Sequence, residues 1–271
     1  MGEQCDPKTV KTVNRPRRHW TRRLLVGLAA LILLPLLGSL VSVGFGQSYD
    51  WRTAPRHSTG IAPDPAETPE AVVQVYAARA FSWRAAFGVH TWIAVKPTDA
   101  PQFTIYEVIG WHVMHGGGSA ISISNRPADG MWFGNAPEII FDLRGVGVDD
   151  VIARIEQAVA SYPYPESYAV WPGPNSNTFT AYVARMVPEL VLDLPPTAIG
   201  KDYPTNGGLV DRAPSGTGWQ VSLFGLLGVM VAEEEGIEIN LLGLTFGVDF
   251  NQPAIKLPGP GRIGLPSWEK T

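Results

Sequence analysis

The sequence predicts an α+β fold in which one antiparallel sheet packs against two helices, preceded by a single N-terminal transmembrane helix. Three observations lead to this fold class. An apolar stretch without charged residues runs from Leu24 to Phe45. Several later segments alternate apolar and polar residues with the period of a strand, and two segments repeat apolar residues with the period of a helix. A chain of 271 residues can bury one substantial core beside such an anchor.

The charged residues are distributed unevenly along the chain. Seven of the 21 Lys and Arg residues, but only two of the 25 Asp and Glu residues, lie within residues 1–23, so this segment is basic and the rest of the chain is acidic. Phosphate binding needs clustered cations, and an acidic body therefore argues against nucleic acid as a partner. The only cysteine, Cys5, precedes the apolar stretch. The main domain thus has no thiol for a disulfide, a nucleophile or a zinc cluster.

Residues 24–46 are predicted to form a transmembrane anchor, because their length suits the hydrocarbon core of a bilayer and membrane helices tolerate a proline such as Pro35. The basic segment 1–23 should stay in the cytoplasm, which places the main domain on the outer, periplasmic side of the cytoplasmic membrane. A cleaved signal peptide and a buried soluble helix are the alternatives. Residues 41–46 offer no Ala-x-Ala cleavage site. Residues 47–70, rich in Pro, Thr and Ala, are predicted to be a linker.

The main domain, residues 71–252, is predicted to open with strands. Alternation and β-rich composition indicate them at residues 73–77, 87–96, 103–113, 120–124 and 138–143. The second and third segments flank a proline-rich turn and should pair as a hairpin. This pairing places His90 opposite Gly110, with His112 one step along on the same face. We therefore expect His90 and His112 to meet.

Two helices follow these strands. Apolar residues with helical spacing predict a helix over residues 149–161, whose first turn contains two aspartates. A Pro-Gly-Pro corner then leads to Ser176 at the start of a second helix, which ends before Pro188. Free N–H groups at a helix start stabilise negative charge and would suit a nucleophile. Asn, Ser and Thr are also the residues that cap helices, so a purely structural role is the alternative.

The C-terminal part of the chain is predicted to be a long hairpin that completes the core. Residues 220–232 and 237–250 alternate apolar and polar residues around an acidic tip. The alternation slips by one residue near Leu241, as a β-bulge would cause. The alternative is a flap that contacts a membrane or a partner. Residues 253–271 are predicted to be an extended tail.

Other polar patterns suggest chemistry less directly. His112 and His115 are three residues apart and would point to opposite faces of a strand, so we predict no metal site and no cofactor. A His-Gly-Gly-Gly run starts at His115, but no Gly-x-Ser-x-Gly elbow accompanies it, and a turn explains it better. Most tryptophans should be core, although one or two would suit a groove for an apolar or sugar-like ligand.

Three segments carry a resemblance to a known superfamily: Gly88–Ala94 with its His-x-Trp pattern, Tyr106–Ile109, and Pro174–Phe179 at the helix start. In this order they resemble the circularly permuted branch of the NlpC/P60 papain-like superfamily, to which lecithin retinol acyltransferase-like proteins belong. The resemblance implies a permuted papain-like fold, with His90 as general base, Ser176 in the nucleophile position and His112 as an orienting group.

The superfamily uses Cys where this chain has Ser176. A hydroxyl is far less acidic than a thiol and needs a well-placed base for activation. The resemblance thus implies either a hydrolase or acyltransferase acting on an amide or ester of the cell envelope, or a catalytically inactive module that binds a small molecule, peptide or lipid in the same cleft. Residues 70–264 also resemble an uncharacterised bacterial family of membrane-anchored proteins, from which no function follows.

Overall fold

The computed structural model describes residues 17–44, 49–116 and 118–264. The predictions for residues 1–16 and 265–271 lie outside these ranges. The chain divides into two compact units, one ending at Leu34 and one beginning at Pro35. The described part of the first unit is helical, and both sheets belong to the second.

The first helix, α1 (Arg17–Gly44), differs from the predicted anchor. It begins inside the basic segment, so its first two turns contain four arginines, and Pro35 lies in its interior. Among the residues that the structure describes, no helix combines the length and the apolar character that crossing a bilayer requires. The prediction of a transmembrane helix at residues 24–46 is therefore wrong.

Five strands form the first sheet. They are β1 (Val72–Arg79), β2 (Val89–Lys96), β3 (Thr104–Val108), β4 (Ile121–Ser124) and β5 (Pro137–Arg144). Their spatial order is β4-β3-β2-β1-β5, and all neighbours are antiparallel. The predicted hairpin is present as β2 and β3, with Ile93 opposite Tyr106. The third predicted strand ends early, because a short helix, α2 (Gly110–Gly116), connects β3 to β4.

The two predicted helices are present and cover one face of the first sheet. They are α3 (Val148–Ala160) and α4 (Ser176–Met186). Ile155 of α3 and Phe179 of α4 are fully buried in one cluster with Val75 and Ile93 of the sheet. Each apolar helix stripe is therefore buried against the alternate residues of β1 and β2 that point towards it.

The other face of the first sheet is covered by loops. Trp92 of β2 is fully buried, and its Nε1 donates to the main-chain oxygen of Ala128 at 2.7 Å. The carboxylate of Asp129 accepts from the main-chain N–H of Ile61 at 2.8 Å. Residues of the predicted 47–70 linker thus bind the loop between β4 and β5 instead of standing apart from the domain.

Seven further strands form a second antiparallel sheet, so the prediction of a single sheet is wrong. They are β6 (Val210–Arg212), β7 (Gly218–Leu223), β8 (Leu227–Ala232), β9 (Gly236–Leu241), β10 (Leu244–Asp249), β11 (Ala254–Leu257) and β12 (Gly261–Gly264). They follow one another as a simple meander. The expected bulge is a two-residue turn, in which Leu242 (φ 56°) and Gly243 (φ 79°) both adopt positive φ. Tight turns cut the predicted hairpin strands into β7 to β10, and part of the predicted tail forms β11 and β12.

Candidate functional site

His90 lies on the loop-covered face of the first sheet, where polar and aromatic partners hold its ring. Its Nε2 is 2.8 Å from Oε2 of Glu107 on the neighbouring strand β3. The ring stacks on Trp132, with centroids 3.6 Å apart and an interplanar angle of 8°. Burial lowers the pKa of His90, although Glu107 partly opposes this shift. A neutral ring that donates its Nε2–H to Glu107 is consistent with these contacts.

Glu107 is the centre of this polar cluster. Arg126 donates to both of its carboxylate oxygens, from Nε at 3.0 Å and from Nη2 at 3.2 Å, and the guanidinium lies 4.5 Å from the ring centroid of Trp92. Burial alone would raise the pKa of Glu107, but the contacts of His90 and then those of Arg126 lower it to about 2. Glu107 is therefore an ionised carboxylate with its oxygens already occupied, which stabilises the fold and leaves little capacity for a ligand.

Ser176 is the first residue of α4, and its neighbour Asn175 caps the helix. Oδ1 of Asn175 accepts from the main-chain N–H groups of Asn177 and Thr178, and Thr178 returns a bond to the main-chain N–H of Asn175. This is a complete capping box. Ser176 is 4% exposed. The capping alternative for the Asn-Ser-Asn-Thr segment is thus the one that the local geometry supports.

The structure does not bring Ser176 and His90 together. The start of α4 docks on Thr91, whose Oγ1 lies 3.4 Å from the main-chain oxygen of Ser176 and 3.1 Å from Oδ1 of Asn177. Successive side chains of a strand point to opposite faces, so His90 faces away from α4 and towards Trp132. General-base catalysis needs the hydroxyl within hydrogen-bond reach of the imidazole. Among the described residues, no hydrogen bond joins Ser176 to His90, and the start of α4 lies on the other face of the first sheet.

His112 also lies apart from the predicted arrangement. It belongs to α2 instead of continuing β3, and it is exposed whereas His90 is buried. Its neighbour Trp111 stacks on His115 at 3.8 Å, one helical turn away. In the described ranges, no group of three or more His, Cys, Asp or Glu side chains is arranged to hold a metal ion.

The second sheet has an unusual distribution of side chains. One of its faces consists of aliphatic residues and one tryptophan that are 37% to 56% exposed, and we call it the apolar face. Its members are Trp219, Val221, Leu223, Leu227, Val229, Val231, Ile237, Ile239, Leu241, Val248, Ile255 and Ile263. Strand register aligns them in rows, one of which crosses six strands from Trp219 to Ile263. This longest row is therefore continuous from β7 to β12.

The opposite face of the second sheet is buried and largely polar. Glu238 is 2% exposed, and its Oε1 accepts from Nζ of Lys201 at 3.0 Å and from Nζ of Lys256 at 2.9 Å. Lys256 also contacts Oδ2 of Asp193 at 2.7 Å. Burial opposes ionisation of Glu238, but the two lysines outweigh it and lower its pKa. We call these four residues the ion cluster. They attach the second sheet to the segment that follows α4.

The half of the apolar face that is formed by β7, β8 and β9 is concave. A depression of about 340 Å³ lies over β7, β8 and β9 and is lined mainly by aliphatic side chains, including Val221, Val229 and Ile239. Its volume is at the lower end of the range of ligand pockets. The apolar face therefore offers shape as well as exposed apolar area.

Comparison with known proteins gives a family match for part of the second compact unit. Residues 70–203 match a family described as "Protein of unknown function (DUF3750)". The chain carries a domain of unknown function. The matched DUF3750 region contains the first sheet, α3, α4 and part of the segment that contributes to the ion cluster. No curated protein matches the chain, and no solved structure matches it either.

Two features were not predicted from the sequence: the polar partners of His90, and which face of the second sheet is buried. Glu107 interrupts an apolar strand directly opposite the His-x-Trp strand, and a buried charge in such a position signals a paired cluster. For the second sheet, the alternation of Glu238 with Ile237 and Ile239 was correctly recognised, but the apolar residues were assigned to the core. The intervening Gln, Ser, Glu, Asn and Lys residues gave no sign that they would be the buried set.

Proposed function

We propose that the protein is a non-catalytic binding module and that its binding surface is the apolar face of the second sheet. The observation that carries this proposal is the inverted sheet, in which ionised side chains such as Glu238 and Lys256 are buried while rows of aliphatic residues are exposed. Monomeric proteins rarely expose a contiguous apolar patch of more than a few hundred Å² unless it serves an interaction.

The energetics favour an occupied face. Its twelve side chains are about half exposed and present on the order of 1,000 Å² of apolar surface. Removing apolar surface from water is favourable, and an area of this order is comparable to the roughly 800 Å² that each partner contributes to a standard protein interface. The apolar face is therefore large enough to be a protein-binding surface.

The alternative, a hydrolase or acyltransferase of the NlpC/P60 type with Ser176 as nucleophile and His90 as base, gains no support from the geometry. The helix start that carries Ser176 packs on the face of β2 opposite to His90, and His90 is engaged by Glu107. The location on the outer side of the cytoplasmic membrane stays a prediction.

Fluorescence of an apolar dye such as anilinonaphthalene sulfonate tests the proposal. We expect the full chain, diluted in detergent-free buffer, to enhance the dye's fluorescence, and the double variant Val229→Thr/Ile239→Thr to lose much of this signal. Threonine keeps the β-branched shape that strands favour. Ile123→Thr is the matched control, because Ile123 is an isoleucine on β4 that is 62% exposed outside the apolar face. Equal fluorescence of the double variant and the control would refute the proposal.

A further inference from the structure

We infer that the partner of the apolar face is a second copy of this chain, bound face to face through the second sheet. This inference rests on the proposed function and specifies its partner. The two copies would form a symmetric dimer in which each aliphatic face covers the other.

The size of the face argues for a protein partner. Its apolar surface, on the order of 1,000 Å², is of the same size as the roughly 800 Å² that each partner contributes to a standard protein interface. The longest row spans six strands, from Trp219 on β7 to Ile263 on β12. The concavity near Val229 occupies only part of this extent. A small apolar molecule in the concavity would therefore leave most of the face uncovered.

The chemistry of the face argues for an identical partner. A symmetric interface joins the same patch on both copies, so the patch must be complementary to itself. Charged patches meet this condition only with a matched arrangement of opposite charges, whereas a uniform aliphatic surface meets it directly. Val229, Ile239 and their neighbours in the rows are also typical of the inner faces of β-sandwiches, where two sheets pack about 10 Å apart.

A lipid bilayer is the main competing partner, and the charges near the face disfavour it. The turn between β8 and β9 contains Glu233 and Glu234, close to Val231 and Ile237 of the longest row. Surfaces that bind anionic membranes carry clusters of Lys and Arg instead. The acidic turn would be repelled by an anionic lipid surface, which favours the second copy.

Sedimentation equilibrium of the full chain in detergent-free buffer tests the inference. We expect a monomer–dimer equilibrium in the wild type, and we expect Ile239→Lys to raise the dissociation constant about 30-fold or more, as for a residue central to an interface. Ile123→Lys is the matched control and should dimerise like the wild type. Comparing the two lysine variants removes the contribution of any association through α1, which is identical in both. Ile239→Thr, which keeps strand propensity, should weaken dimerisation to a smaller extent, and circular dichroism checks that each variant is folded.

Dye fluorescence measured over the same concentration range separates the possible failures. If the second copy is the partner, fluorescence per chain falls as the protein concentration rises and the faces cover each other. A wild type that stays monomeric but binds the dye would overturn the inference and leave the proposed binding surface intact. Flotation of the monomer with phosphatidylcholine or phosphatidylglycerol vesicles, lost in Ile239→Lys, would assign the face to lipid instead. A monomer that does not bind the dye contradicts both proposals.

Discussion

Replacing Arg126 by methionine should destabilise the domain by about 2–3 kcal/mol. Arg126 donates to both oxygens of Glu107, whose side chain is 2% exposed, while its own side chain is 25% exposed. Removing one partner of a fully buried ion pair costs about 3–5 kcal/mol, and an exposed pair is worth about 0–1 kcal/mol. The partial exposure of Arg126 places the expected loss between these limits. Methionine keeps the length of the side chain and part of the contact with Trp92.

Urea unfolding at pH 7 measures this loss, with Arg144→Met as the matched control. Arg144 also binds a carboxylate through two nitrogens, but both side chains of its pair with Asp142 are about one-third exposed or more, so the control should lose less than about 1 kcal/mol. Equal losses in the two variants would refute the reasoning. Glu107→Gln in the Arg126→Met background should recover part of the stability, because it removes the unpaired buried charge.

The pH dependence provides a second measurement on the same variant. The pKa of Glu107 is lowered from 4.5 to about 2, so the folded form binds its proton less readily than the unfolded form. The stability due to this shift is fully present above pH 4.5 and is lost as the pH falls towards 2. Without Arg126 the pKa of Glu107 should rise, and the loss of stability between pH 4.5 and 2 should become smaller. An unchanged slope would show that His90 alone holds the carboxylate ionised.

Three further predictions concern stability, measured by urea unfolding. Ser176→Ala should change the unfolding free energy by less than about 0.5 kcal/mol, whereas Asn175→Ala should cost about 2 kcal/mol because it removes the helix cap. A larger effect for Ser176 would contradict the capping assignment, and labelling of Ser176 by a fluorophosphonate would restore the enzyme reading. Gly236→Ala should cost more than about 2 kcal/mol, because Gly236 has φ +74° and a methyl group there would clash with the backbone of β10. Gly145→Ala, with φ +99° and no described atom within 4 Å, should cost only about 1 kcal/mol, and equal losses would exclude the clash. Glu238→Gln should cost about 3–5 kcal/mol, since two buried ammonium groups lose their shared partner; a loss below 1 kcal/mol would mean that water reaches the cluster.

Local periodicity was sufficient to predict most strands of the first sheet and the two helices that pack on it. The hairpin of β2 and β3, the apolar stripe of α3 and the start of α4 at Ser176 all follow from spacing that extends over only a few residues. The short helix α2 was missed because Trp111, His112 and Val113 favour a strand by composition. In the structure, the ring of Tyr168 occupies the space that a side chain at residue 110 would need, a tertiary contact that no local pattern contains.

Whether His90 and Ser176 could meet depended on which face of β2 the helix α4 packs against. His90 and Thr91 are adjacent in β2, and a difference of one residue decides whether α4 meets an imidazole or a hydroxyl. The same ambiguity affected the second sheet. Alternation separates Ile239 from Glu238 reliably, but it does not say which of the two sets faces the rest of the domain, and the usual assumption of an apolar interior selected the wrong set.

The ion cluster also bears on how the meander finds its alignment. In most sheets, shifting a strand by one residue would expose its apolar side chains to water, and this penalty selects the correct register. In the second sheet the apolar side chains are already exposed to solvent, so this penalty is weak. If β9 were displaced by one residue, Glu238 would point to solvent. The ammonium groups of Lys201 and Lys256 would then stay buried without this carboxylate partner. The cost of leaving buried charges unpaired, rather than the cost of exposing apolar side chains, therefore selects the strand register of the second sheet.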